Sequence, residues 1–270
     1  SKHPNFRFEK TDIGDLHHLY DCDYVINTAA ESHVANSIIS SDKFLETNVL
    51  GTQNLLELIR SKQKNVGKRP IFLHFSTDEV YGDIIHGSHK EDDLLKPSNP
   101  YSASKAAADM LVLAWARTYD LKYVIVRPAN NYGIGQYPEK LIPLTVKNLN
   151  RGRKTCLHNG GEPYRCWLHA DDTAMAIVKI VESGKVDEIY NISGHEDQKN
   201  IDTVKKIISC YGYDVGELEN YVDFSYSRQG QDVRYSVDDS KLQSLGWIPK
   251  KQFPKEIVSI VNYYKKRFIW

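Results

Sequence analysis

The sequence predicts an α/β protein built on a doubly wound parallel sheet, with a smaller C-terminal lobe. Two observations lead there. Short apolar runs rich in β-branched residues alternate with stretches of helical spacing, and the runs are apolar on both faces, as strands between two helical layers must be. The first strand is expected at Asp23-Tyr-Val-Ile-Asn-Thr28 and a helix from Phe44 to Ile59. A second strand, Ile71-Phe-Leu-His-Phe-Ser76, precedes a helix from Ser102 to Tyr119 that follows Pro97-Ser-Asn-Pro100. Tyr123-Val-Ile-Val-Arg127 and Glu188-Ile-Tyr-Asn-Ile192 read as further strands, with helices over Ile142 to Asn150 and Asp172 to Glu182. Beyond about residue 140 the pattern loosens into short helices joined by loops at Arg151-Gly152, Asn159-Gly-Gly-Glu-Pro163 and Ser225 to Arg234. Residues 1–140 are therefore expected to form the main domain, and 141–270 a lobe interleaved with its sheet.

Composition narrows the partners. The 35 basic and 35 acidic side chains cancel, which argues against a non-specific grip on nucleic acid or an anionic membrane and leaves a small molecule. No apolar run approaches the ~18 residues of a membrane helix. The four cysteines are scattered singly, against a disulfide framework or a zinc site, and imply a reducing, cytoplasmic setting. The chain opens mid-pattern without an initiator Met.

Two motifs carry chemistry. Tyr101-Ser-Ala-Ser-Lys105 sets a phenol and an ammonium four residues apart, on one helix face, where the cation can lower the phenol's pKa and make it a general base. An ordinary amphipathic helix has the same spacing. Phe75-Ser-Thr-Asp-Glu-Val-Tyr-Gly82 runs an apolar strand into two adjacent carboxylates at the end where parallel sheets bind ligands. Neighbouring carboxyls whose pKa values are driven apart can serve as one acid and one base, although Asp78 and Glu79 also fit a solvated strand-to-loop junction.

These motifs sit among others in order: Ala29-Ala-Glu-Ser-His-Val34, Thr47-Asn-Val-Leu-Gly-Thr52, Arg127-Pro-Ala-Asn-Asn-Tyr-Gly133, Gln136-Tyr-Pro-Glu-Lys-Leu-Ile-Pro143, Arg165-Cys-Trp-Leu-His-Ala-Asp-Asp172, Tyr190-Asn-Ile-Ser-Gly-His195 and Arg228-Gln-Gly-Gln-Asp-Val-Arg-Tyr235. Together they span nearly the whole chain, which resembles the extended short-chain dehydrogenase/reductases and, within them, the dTDP-glucose 4,6-dehydratase family. Thr77-Asp78-Glu79 is the discriminating tripeptide, since related epimerases share the Tyr and Lys without the acid pair.

The resemblance implies a Rossmann-like domain, NAD as cofactor, and internal hydride transfer turning a nucleoside-diphosphate glucose into a 4-keto-6-deoxy sugar. Tyr101 would take the 4-hydroxyl proton with Thr77 beside it, Lys105 would support the phenolate, Glu79 would remove the C5 hydrogen, and Asp78 would protonate the departing C6 hydroxyl. Asp12, Ile13, Ala29, Ala30, Thr47 and Asn131 fall on cofactor positions, together with Tyr101 and Lys105. Ser32, Asn130, Glu139, Lys140, Leu141, Arg165, Asn200, Arg228 and Arg234 fall on nucleotide-sugar positions. Arginine suits a diphosphate because its fork donates paired hydrogen bonds, and any one of these arginines also fits a surface salt bridge. His33 is expected to orient its loop. His17, His18, His86, His89 and His195 show no metal-ligand arrangement.

The sequence departs from the family at two places. The Gly-rich strand-to-helix turn that cradles a dinucleotide pyrophosphate is not found, so the first β-α-β unit is expected to be missing and the chain as given to bind NAD poorly. Cys156 and His158, with Gln229 and Gln231, stand where the family more often has other residues. They leave the base and sugar open: a UDP-glucose or UDP-N-acetylhexosamine 4,6-dehydratase is the alternative. A catalytically silent nucleotide-sugar-binding homologue is a further alternative. The helices from Phe44 and from Ser102 resemble those through which the family forms homodimers, and they also fit a plain cover for the sheet.

Overall fold

The computed structural model describes residues 3–66, 69–183 and 185–267; the opening Ser1-Lys2 lies outside them. In chain order its elements are a 3-10 turn at Ile13–Asp15, β1 (Tyr24–Asn27), α1 (Val34–Ile39), α2 (Asp42–Phe44), a π-helical stretch Leu45–Gly51, α3 (Thr52–Val66), β2 (Ile71–Phe75), a 3-10 turn Asp78–Tyr81 and α4 (Pro100–Tyr119). Then come β3 (Tyr123–Pro128), β4 (Asn130–Tyr132), α5 (Leu141–Asn150), β5 (Thr155–Cys156), β6 (Tyr164–His169), α6 (Ala170–Ser183), β7 (Glu188–Ile192) and β8 (Asp197–Lys199). The chain continues through α7 (Asn200–Tyr211), β9 (Val222–Asp223), α8 (Ser240–Gln243) and α9 (Phe253–Lys266).

The main sheet is parallel throughout, in the order β1-β2-β3-β7. Its middle strands are sealed on both faces, Leu73, Val124 and Val126 against Ala176 and Ile180 of α6, and Phe72 and Ile125 against Leu55, Leu56 and Ile59 of α3 and Val112 of α4. The burial expected for strands between helical layers therefore holds at the centre. It fails on β1, whose Ile26 stays 47% exposed.

Helix α4 begins where its sequence says it should. Asn99 accepts from the Ser102 amide while the Ser102 hydroxyl accepts from the Asn99 amide, a reciprocal cap, and Pro100 occupies the first turn, where no amide donor is needed. The expected helix from Phe44 is instead three pieces, a short α turn, the π stretch and α3. The wider π turn accommodates the buried Asn48, whose amide group bonds both the amide and the carbonyl of Glu31 and the Ser104 hydroxyl of α4.

Behind the sheet lies a buried charge. Arg127 on β3 donates to Asp109 of α4 at 3.0 Å and to the Tyr81 hydroxyl at 2.7 Å, and Tyr81 donates to Asn191 on β7 at 2.8 Å. One guanidinium thus ties two strands, a helix and the turn after β2, with its charge paired as burial requires.

The smaller lobe is more regular than the sequence suggested. Helices α5, α7 and α9 pack around Trp167, Tyr132, Leu157 and Val222, and β4-β6-β8 forms a second sheet, parallel between β4 and β6 and antiparallel between β6 and β8. At 12 and 14 residues, α7 and α9 are longer than short connecting helices. Gly194 closes the join: a Cβ there would sit 1.9 Å from the Trp167 carbonyl oxygen, so only glycine lets the chain after β7 pass β6. Because β7 belongs to the main sheet, the sequence after residue 140 serves both regions.

Candidate active site

The carboxyl ends of β2 and β3 open onto a cavity of about 520 Å³. Its floor is the turn after β2. Thr77 caps that turn by accepting from the Glu79 amide and donates its hydroxyl to Asp78 at 3.2 Å, so the 3-10 geometry holds both acids against the cavity. Tyr101 and Lys105, one turn apart at the start of α4, form the adjacent wall. Ser32, Asn130, Asn131, Glu139, Lys140, Leu141, Arg165, Asn200 and Arg228 help complete it, from six separate segments.

Other expected site residues lie elsewhere. Asp12 caps the first 3-10 turn through the Gly14 amide, Ile13 packs beside Gly51, and neither Ala29 nor Thr47 lines the cavity, whereas Ala30 does. Arg234 is also outside the lining. Its guanidinium donates to the Gly87 carbonyl at 2.9 Å and to Asp197 at 3.2 Å, so it fastens a loop to β8. His33 caps α1 by accepting from the Asn36 amide at 3.2 Å, an anchoring role for its loop, and it reaches the cavity as well. His195 bonds the buried Asp239 at 3.0 Å. Cys156, His158 and Gln231 line the cavity, and Gln229 does not.

The surroundings of the two acids differ. Burial above all, and then the charge of Glu79, push Asp78 up to about 7, and its Oδ2 is buried without a partner. Glu79 instead accepts from the buried Tyr235 hydroxyl at 3.3 Å. The phenol of Tyr101 departs from expectation. Burial, and next the Glu79 carboxylate, push it well above the ordinary tyrosine range, with the Thr77 hydroxyl opposing them. Lys105 does not counter this, because its ammonium is turned to the Phe75 carbonyl at 2.5 Å; burial brings Lys105 itself down to about 8, with Asp109 acting the other way. A single lysine four residues on does not make a buried phenol acidic while two carboxylates face it.

Sequence reading missed Tyr235, together with Asp232, Ser98, Gln136, Tyr137 and Trp167. Tyr235 and Asp232 had been seen only as parts of a motif. Their roles come from a fold-back of the chain that brings residue 235 beside residue 79, a contact no spacing rule reports.

The cavity suits a nicotinamide nucleotide at the sheet end. The small side chains of Ala30 and Ala129 leave room above the strands, and Asn130 Oδ1 is a buried acceptor without a partner, of the kind a carboxamide amine satisfies. At the other end Lys140, Arg165 and Arg228 gather positive charge, as a diphosphate needs.

Comparison with known proteins gives this cavity a family. The family model described as GDP-mannose 4,6 dehydratase matches residues 1–260. The chain belongs to that family. The dTDP-glucose 4,6-dehydratase of Neisseria gonorrhoeae is 41% identical to it over 285 residues, covering 97% of this chain and 81% of the relative. The low-salt glycan biosynthesis protein Agl12 of Haloferax volcanii is 39% identical, over 97% of this chain and 83% of its own. Among solved structures, DesIV from Streptomyces venezuelae, a dTDP-glucose 4,6-dehydratase with NAD bound, superposes with a TM-score of 0.91 at 38% identity, covering 98% of this chain and 81% of that one. The superposition extends the likeness to the Rossmann-like sheet.

Proposed function

We propose that the protein is an NAD-dependent nucleotide-sugar 4,6-dehydratase acting on dTDP-glucose to give dTDP-4-keto-6-deoxyglucose. The observation that carries this reading is the difference between adjacent acids: Asp78 is pushed up to about 7 with its Oδ2 buried and unpartnered, while Glu79 accepts a hydrogen bond from Tyr235, both on the cavity shared with Tyr101 and Lys105. When bound beside Tyr101 and Lys105, NAD would supply a hydride acceptor and donor for the sugar. Tyr101 takes the proton from the 4-hydroxyl, which requires Lys105 to leave the Phe75 carbonyl and support the phenolate. With a ketone at C4 the C5 hydrogen becomes acidic and Glu79 removes it, while protonated Asp78 gives its proton to the departing C6 hydroxyl. Lys140, Arg165 and Arg228 hold the diphosphate, and the lobe over 141–270 carries the nucleotide side.

Glu79→Gln tests the assignment directly. The exchange is expected to cut formation of the 4-keto-6-deoxy product by about 100-fold or more, while reduced nicotinamide still accumulates on mixing with dTDP-glucose. Loss of both signals together would remove Glu79 from the elimination step.

The nucleobase is the part of this reading with a rival. Cys156, Leu157 and His158 form one wall of the cavity, and burial, followed by the Arg228 charge, lowers His158, keeping its imidazole neutral. A neutral imidazole with a buried, unpartnered Nδ1 can meet a pyrimidine edge, and uracil and thymine share that edge, so a UDP-sugar is the second reading. Rates of 4-keto product formation from dTDP-glucose and UDP-glucose, compared side by side, decide between them.

We further infer a homodimer formed by pairing α3 and α4 with their copies. Support comes from apolar side chains left in solvent on this side: Met110 is 48% exposed, and Leu45 and Leu50 on the preceding π stretch are 48% and 56% exposed. Met110→Glu should shift the sedimentation coefficient to that of a monomer, and an unchanged value would exclude this surface. We also infer a cytoplasmic setting, supported by the free thiols of Cys22, Cys156, Cys166 and Cys210.

A further inference from the structure

Glu79 is not the end of its hydrogen-bond chain. The Tyr235 hydroxyl lies 3.3 Å from Glu79 Oε2 and 2.5 Å from Asp232 Oδ2, and the Ser98 hydroxyl donates to that same Asp232 oxygen. Tyr235 is 1% exposed and Asp232 6%. Arg165 covers the ring, its guanidinium carbon 4.6 Å from the centroid, and keeps the phenol from swinging out.

A phenol has one proton and two neighbours here, both carboxyls. When Glu79 is ionised, Tyr235 can donate to it. When Glu79 carries a proton, Glu79 can donate to the phenol oxygen only if the phenol turns its own proton to Asp232. The two arrangements differ by one proton moved between the carboxyls, with the phenol neutral in both. Burial, and next the Glu79 charge, push the Tyr235 phenol far above its ordinary range, so it hands a proton on as it takes one and does not rest as phenolate.

We propose that Tyr235 and Asp232 form a proton relay behind Glu79, carrying the hydrogen removed from C5 of the sugar through the buried phenol to Asp232 and from there to solvent. This rests on the dehydratase reading above. In the relay the Glu79 O–H bond breaks as a Tyr235 O–H bond forms, and the original Tyr235 O–H bond breaks as an Asp232 O–H bond forms; nothing is oxidised or reduced. The reverse passage delivers a solvent proton to Glu79 and thence to C5 when the hydride returns to C6. Tyr235 and Asp232 are positioning residues, acting through Glu79 without touching the sugar. Asp232 also fixes geometry: Ser98 is three residues before Tyr101, so the Ser98–Asp232 bond pins the segment carrying Arg228 and Gln231 to the approach of α4.

The test is the isotope at C5. The native protein is turned over on dTDP-glucose in D₂O, and the product is analysed for deuterium at C5 at low conversion. Wild type should incorporate solvent deuterium at C5. Asp232→Asn interrupts the relay while keeping the side chain's shape, and Tyr235→Phe removes the transferring hydroxyl. Both should lower kcat by roughly tenfold, less than the ~10²-fold loss typical of a direct acid or base, with KM within about twofold. Both should also raise the fraction of product that keeps the substrate's own C5 hydrogen, because Glu79 then returns the proton it took. A merely structural role lowers kcat and leaves the C5 isotope ratio at the wild-type value; that result in either folded variant overturns the relay. Thermal melting reports folding, and either variant alone suffices if the other does not fold. Failure of wild type to form any 4-keto product would instead overturn the dehydratase reading.

Discussion

Tyr101→Phe is expected to abolish both the oxidation at C4 and the elimination that depends on it, lowering kcat by about 10⁴-fold, the upper range for loss of a general base. The ring remains to fill its place against Phe44, whose centroid lies 6.4 Å away, so the fold should survive and binding of the sugar nucleotide should change little. The contrast with Glu79→Gln makes the experiment informative. Both variants lose the final product, yet only Glu79→Gln should still reduce the nicotinamide. Rapid mixing of each variant with dTDP-glucose and observation of reduced nicotinamide separates the two, and a reduced-cofactor signal from Tyr101→Phe would contradict its role. The lysine enters through pH. Lys105 sits near 8 and must stay protonated to support a phenolate, so the oxidation step should weaken as pH rises above about 8.

Asp78→Asn should do two opposite things. It removes the acid that protonates the departing hydroxyl, costing about 10³-fold in elimination, and it should stabilise the fold above neutral pH. The sign follows from linkage. Asp78 binds its proton more tightly folded, near pH 7, than unfolded, near 3.8. Its favourable contribution is therefore complete below about pH 3.8 and lost as pH rises through 7, where the buried carboxyl must ionise with only the Thr77 hydroxyl bonded to it. A shift of about 3 units corresponds to at most ~4 kcal/mol, and asparagine, which cannot ionise, escapes that loss. Melting temperatures of wild type and Asp78→Asn at pH 5 and pH 8.5 check this: the variant's advantage should grow with pH. An advantage that is the same at both would mean that Asp78 carries no such strain. The same group sets the upper limb of wild-type elimination, which should fall as pH rises through about 7.

Much of this was legible in the residues. The four main strands, the capped start of α4 and the placement of Thr77, Asp78, Glu79, Tyr101 and Lys105 on one cavity follow from local rules: period, capping and the strand-end position of ligands. What escaped was of two kinds. The register of α9 is legible in Phe253, Ile257, Ile260, Val261 and Tyr264, spaced along one helix face, although no helix is named there from the sequence. By contrast, the Tyr235–Glu79 contact, the capture of Arg234 by carbonyls and the turning of Lys105 to Phe75 are made by groups distant in the chain or by the backbone. Residue spacing does not encode them. The π stretch belongs to the same class, since Asn48 needs it in order to reach Glu31 and Ser104.

The buried Arg127 knot also bears on how such an enzyme could diversify. Tyr81, at the far end of the acid-bearing turn, is bolted through Arg127 and Asn191 to two strands and a helix, so drift in that turn would unravel several neighbours at once. The opposite wall is tied more lightly: Cys156 is exposed, and the stretch around Arg228 is held by the bond from its amide to Asn159 and by the Ser98–Asp232 bond. Over evolutionary time, reaction chemistry would be inherited nearly unaltered while the choice of nucleotide wandered, because that side is the less costly of the two to rewrite.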